Sequence, residues 1–79
     1  MTDAPFTLEL RPHGGARYYD TCRTAQHIAD VLRVYVAFVF NDVHCMALPD
    51  GSAEWLAQEL QRLMSDRGCR EMAQSIRRG

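Results

Sequence analysis

The chain has 79 residues, 47% of them hydrophobic and 24% charged, with a net charge of −1. That length fits one domain, 1–79, with a modest core, and the apolar fraction excludes disorder. The charge balance excludes general nucleic-acid affinity, which needs a basic footprint, and no apolar run is long enough to span a bilayer. Met1-Thr2-Asp3-Ala4-Pro5 has neither the basic start nor the apolar stretch of a signal peptide, so a cytoplasmic place in a bacterial host cell is expected. The cysteines Cys22, Cys45 and Cys69 are odd in number and 23 and 24 residues apart, which matches neither a disulfide framework nor a zinc pattern.

Phe6 to Arg11 alternates, with Phe6, Leu8 and Leu10 on one side and Thr7, Glu9 and Arg11 on the other. This predicts a half-buried strand. Pro12-His13-Gly14-Gly15 predicts a turn, and Ala16 to Asp20 a returning strand that closes a first hairpin. Thr21 to Arg33 reads as a helix, with Ala25, Ile28, Ala29 and Leu32 at the spacing of one buried stripe. Thr21 or Thr24 is its cap, and His27 and Asp30 fall on the solvated side.

Val34 to Leu48 organises the chain. Two runs rich in β-branched and aromatic residues flank Asn41-Asp42, a pair that tolerates the positive φ of a type I′ turn. A two-residue loop sets Phe40 against Val43, Phe38 against Cys45 and Val36 against Ala47. One face then carries Val34, Val36, Phe38, Phe40, Val43, Cys45 and Ala47 and is the core face. The other carries Tyr35, Ala37, Val39, His44, Met46 and Leu48, which is too apolar for a solvated face.

Pro49-Asp50-Gly51-Ser52 turns the chain, and Asp50 or Ser52 caps a second helix with the stripe Ala53, Leu56, Ala57, Leu60, Leu63 and Met64. Trp55 stands beside the stripe, either covering the core edge or as an exposed anchor. Gly68 is the expected left-handed cap of that helix, and Cys69 to Arg77 predicts a short third one. The predicted fold is α+β, a small antiparallel sheet in ββαββαα order with helices on one face.

Catalytic chemistry finds no support. His44 and Cys45 are strand neighbours and point to opposite faces, and Cys22 and His27 are at the wrong helical spacing to meet. There is no paired His or C-x-x-C spacing for a metal, so no cofactor is expected, and the protein is read as a non-enzyme. Tyr35 lies in a stretch without Arg, which denies it the basic company of a nucleic-acid stacking platform.

What remains is contact with protein. Residues 34 to 61 hold Asp42, Asp50, Glu54 and Glu59 and no Arg, while 62 to 79 hold five Arg against Asp66 and Glu71. Asp42, Asp50, Glu54 and Glu59, with Trp55, are therefore the candidate contact surface for a basic partner. Tyr35, Val39, Met46 and Leu48 are the candidate homodimer contact, because an open apolar face of roughly several hundred Å² is more than monomers usually expose. In size and architecture the chain resembles the small anti-CRISPR proteins of phages. The stretches that carry the likeness are Tyr18-Tyr19-Asp20-Thr21, Val36-Ala37-Phe38-Val39-Phe40-Asn41-Asp42 and Pro49-Asp50-Gly51-Ser52, two of them leading into helices. The resemblance implies an inhibitor that docks on a Cas protein or surveillance complex and blocks DNA binding or nuclease recruitment. The other expectation is a homodimeric structural or regulatory protein with no CRISPR role.

Overall fold

In a computed structural model, which describes residues 6–65 and 72–75, the order is β1 (Thr7–Leu10), α1 (Tyr18–Leu32), β2 (Tyr35–Phe40), β3 (Val43–Ala47), α2 (Ala53–Ser65) and β4 (Ala73–Gln74). The strands form one sheet in the order β1-β2-β3-β4. Both helices lie on one side of it, in a molecule 33 × 31 × 18 Å whose short axis is the thickness of two layers. The α+β class and the one-sided helices are as the sequence indicates. The sheet is mixed rather than antiparallel: β1 pairs with β2 and β4 with β3 in parallel, and only β2–β3 is antiparallel.

The central hairpin has the expected register, Phe40 to Val43, Phe38 to Cys45 and Val36 to Ala47. Asn41 and Asp42 turn it with φ of 49° and 65°, both positive as a type I′ turn demands. Asn41 Nδ2 reaches Met64 Sδ at 3.2 Å, which sets the turn beside the end of α2. The core side carries Val34, Val36, Phe38, Cys45 and Ala47, all buried.

The first predicted hairpin does not form. Ala16 and Arg17 belong to the connection and Tyr18 starts α1, so β1 is joined to β2 by a helical crossover. The local pattern explains it. Tyr18, Cys22, Ala25 and Ala29 follow one another at helical spacing, so a helix begun at Tyr18 gains a further turn of core contact. Thr21 does not cap this helix. Its N–H and Oγ1 both donate to the carbonyl of Arg17, at 3.0 and 2.9 Å. The buried arc is Cys22, Ala25, Gln26 and Ala29, rotated away from the Ile28 and Leu32 of the predicted stripe, and Leu32 is exposed. His27 and Asp30 are exposed as expected. Small residues on α1 meet Leu56, Leu60 and Leu63 on α2, so large side chains of one helix fill the space left by the other.

Ser52 caps α2, accepting the Trp55 N–H at 3.1 Å. The third predicted helix is corrected where it is described: Ala73 and Gln74 are strand β4, and Ala73 and Ser75 are buried on either side of the half-buried Gln74. That two-residue period, with a free edge on β3 to join, outweighs the helical spacing of Met72 and Ala73. The rest of that helix, with Cys69 and the cap Gly68, lies outside the described residues. Ser75 fastens this edge. Its N–H donates to Met46 O (3.1 Å), its carbonyl accepts from Ser52 N–H (2.9 Å), and its Oγ accepts from Leu48 N–H (2.8 Å).

Candidate interaction surfaces

The sheet side away from the helices is built by alternation. Residues paired across strands share a face, so Thr7 and Tyr35 form one row, Glu9, Ala37, Met46 and Gln74 a second, and Val39 and His44 a third. No described element packs on this side. Val39 is 46% exposed, His44 is exposed, and Tyr35, Ala37, Met46 and Leu48 are half-buried. The structure thus brings the four residues of the predicted dimer contact to one side of the molecule, with polar Thr7 and Glu9 at one margin and Gln74 at the other.

The predicted acidic surface is divided. Asp42 is at the hairpin tip, and Asp50 and Glu54 are at the other end of β3, where α2 begins. Asp50 is held by a bidentate pair with Arg33, 2.9 and 2.8 Å. That pair lowers the Asp50 carboxyl below the usual carboxylate range, first through the hydrogen bonds and then through the guanidinium charge. Glu59 pairs with Arg62 at 3.2 Å on the outer side of α2. Trp55 is half-buried and lines a shallow cleft with Ser52, Glu54 and Gln58. Among the described residues, Glu9, Asp42 and Glu54 have no ion pair.

The two described thiols are free and buried. Burial pushes Cys22 up to about 12; Cys45 is pushed to about 12 by burial first and then by its neighbour Cys22. A cleft of about 310 Å³ lies where β1 runs out toward α1, with Leu10, His13, Asp20 and Thr24 in its lining. His13 and Asp20 share that lining without a hydrogen bond between them. Among the described residues no three His, Cys, Asp or Glu gather as a metal site, and no helix is long and apolar enough to cross a membrane. Gln26 is the one buried amide on α1: its Nε2 donates to Leu48 O at 2.6 Å and to Asp30 Oδ1 at 2.8 Å, joining α1 to the turn after β3.

One surface is hidden from the sequence pattern, the groove between β1 and the outer flank of α1. It follows from α1 lying over β2 and β3, which among the described residues leaves the helix side of β1 open at Phe6 and Leu8, while Leu10 packs against the core. A signal for it exists: Ile28, Val31 and Leu32 make an apolar arc wider than one stripe needs.

Comparison with protein-family models, curated proteins and solved structures found no match for this chain. The functional reading therefore stands on the surfaces themselves.

Proposed function

We propose that the protein is a non-enzymatic binding module whose helix-free sheet face docks on a protein with an apolar centre and a basic rim. The observation that carries this is the face itself: Tyr35, Val39, Met46 and Leu48 lie on a side that no described element covers. Exposed sheet faces alternate to polar residues unless something packs on them. The charge of the partner follows from the margins. Among the described residues, Glu9 beside the face and Asp42 at its tip are carboxylates with no cation paired to them, and β2 and β3 carry no Arg. Such a rim steers a basic partner and sets its orientation more than it adds affinity. The divided positions of Asp50, Glu54 and Glu59 give them a smaller part than the sequence alone suggests.

The likeness to anti-CRISPR proteins makes a Cas protein or surveillance complex the partner, because surfaces that hold guide RNA and DNA are basic. Docking there would exclude target DNA or the recruited nuclease. The test is the binding of target DNA by purified Cas complexes of the different types as this protein is added. The expected result is loss of DNA binding or cleavage with one type, and none of that loss with the Val39→Glu, Met46→Glu double variant. Unchanged DNA binding and cleavage across the types would remove the inhibitor reading. If the double variant instead turns a native dimer into a monomer, the face belongs to a second copy, as in the homodimeric alternative.

A further inference from the structure

Phe6, Leu8, Val31 and Leu32 are 67%, 38%, 62% and 56% exposed. They make up most of the exposed large hydrophobic side chains among the described residues, and Phe6, Leu8 and Leu32 lie toward the helix side of β1, while Val31 is on the solvent side of α1. Phe6, Leu8 and Leu10 are on the helix side of β1, since Leu8 pairs with Val36 and Leu10 with Phe38. Ile28 and Leu32 are on the flank of α1 that faces away from Gln26 and Asp30, which bind the turn on the far side. Together they make an apolar groove whose floor is β1.

The floor is also an open edge. Tyr35 N–H donates to Phe6 O at 3.0 Å, and a parallel ladder alternates from there. Phe6, Leu8 and Leu10 turn their backbone groups toward β2. Thr7 and Glu9 turn their N–H and C=O outward, away from every described strand.

We infer that this edge pairs with the same edge of a second copy, β1 antiparallel to β1 across a two-fold axis at Leu8, giving one eight-stranded sheet. The inference is independent of the partner proposed above. The register follows from which residues point outward. Hydrogen-bonded antiparallel pairs need outward groups on both strands, so Thr7 must face Glu9 or each must face itself. Centring on Glu9 opposes two carboxylates. Centring on Thr7 carries Glu9 past the end of the described strand, so its outward groups meet no strand partner. Centring on Leu8 sets Thr7 against Glu9 twice, which pairs all the outward groups and opposes no like charges. On the helix side the same register lays Leu8 on Leu8 and Phe6 on Leu10. The groove is thereby filled by its own residues from the second copy. A short foreign strand would satisfy the edge, but a second copy also returns Phe6, Leu8 and Leu10 onto the same three residues and sets a Thr7 beside each Glu9, and that self-complementarity favours a second copy as the occupant. The pairing keeps both pairs of helices on one side, so the two helix-free faces join into a single surface.

The test has a register-specific arm. In this pairing the two Leu8 Cα atoms form a non-hydrogen-bonded pair about 4.5 Å apart, within the range a disulfide spans. Leu8→Cys is expected to form a disulfide-linked dimer on mild oxidation, and Phe6→Cys, which faces Leu10, is expected not to; native protein oxidised in parallel supplies the background from its own thiols. Light scattering of the native chain at high micromolar concentration should give twice the 9.0 kDa mass of one chain. Thr7→Pro removes an outward N–H at the first position of the strand, where Pro is tolerated, and Phe6→Glu charges the groove. Both should give monomers with native circular dichroism. A native chain that runs as a monomer overturns the inference. So does a dimer that survives Thr7→Pro and Phe6→Glu but dissociates in the Val39→Glu, Met46→Glu variant. Amides of Thr7 and Glu9 that gain exchange protection only when another protein is added would give the edge to that protein and overturn it as well.

Discussion

The β2–β3 hairpin and β1 are made of the same kind of sequence, alternating or continuous apolar residues bounded by turn formers, yet the molecule uses them in opposite ways. Phe38, in the hairpin, is fully enclosed with neighbours on both edges and a helix layer above. Leu8, in β1, has among the described residues a neighbour on one edge only, and it is 38% exposed on the helix side. The difference comes from topology. A hairpin partner is chosen by a two-residue loop, within reach of the strand itself. The partner of β1 is chosen by where a fifteen-residue helix sets the chain down, and that helix comes to rest over the inner strands. Stability is thus concentrated in the hairpin, and contact is left to the edge.

The widest test of that contrast compares truncations. Phe38→Ala removes an enclosed ring and should cost about 3–5 kcal/mol in denaturant unfolding. Leu8→Ala should cost roughly 1 kcal/mol, because its side chain is already part-hydrated. Similar costs for the two would show that β1 is as much a part of the core as the hairpin.

A second test concerns the other sheet edge. A Cβ on Gly51 would overlap Ser75 Oγ and lie 2.8 Å from Ser75 Cβ and 3.0 Å from Leu48 O. Ser75 is buried and holds Leu48 through that hydroxyl, so it has little freedom to move. Gly51→Ala is expected to destabilise by about 1–3 kcal/mol, as overpacking does. Adding Ser75→Gly should cost less on the Gly51→Ala background than on the native one, since the clash and the lost hydrogen bond share one side chain. Strict additivity in that double-mutant cycle would mean that the two residues do not press on each other.

How far the fold was legible follows the same division. The hairpin register, its turn and the core stripe of α2 are local patterns, and they are present as read; α1 is present too, but it starts at Tyr18 and turns its buried arc away from Ile28 and Leu32. The strand predicted at Ala16–Asp20 failed because Tyr18 and Tyr19 suit strands in isolation, while Tyr18 also completes a helical stripe with Cys22, visible once Cys22 is counted as apolar. β4 failed because two residues carry almost no periodic signal, and its strand character comes from a β3 edge distant in sequence. For the surfaces, alternation alone gave the helix-free face. The acidic group did not hold together, because closeness along the chain said nothing of Asp50 reaching back to Arg33. The groove at β1 needed the path of α1, which no local pattern contains.

The smallest expected effect lies in that ion pair, which closes the turn after the hairpin onto the end of α1. Arg33 ends α1 in the left-handed region, φ 57° and ψ 46°, and Asp50 is also left-handed at φ 64°. Both are positions where glycine is the usual choice. The paired side chains offset part of the backbone cost, aided by Asp50 N–H donating to Asp30 Oδ1 at 2.8 Å. The folded Asp50 carboxyl is lowered, so the ionised form is the one that folding favours. Its contribution is therefore present above the unfolded aspartate value of about 3.9 and is lost as pH falls through the lower folded value. Both side chains are more than half exposed, so solvent and salt screen the pair and the effect on stability is small. Asp50→Asn is the suitable control, because Asn keeps the left-handed backbone and loses only the charge. Melting temperatures followed below pH 4 should fall slightly faster for the native chain than for Asp50→Asn, and the difference should shrink in high salt. Parallel curves at low salt would show that Arg33 and Asp50 are held by the backbone alone, and that the turn owes nothing to their charges.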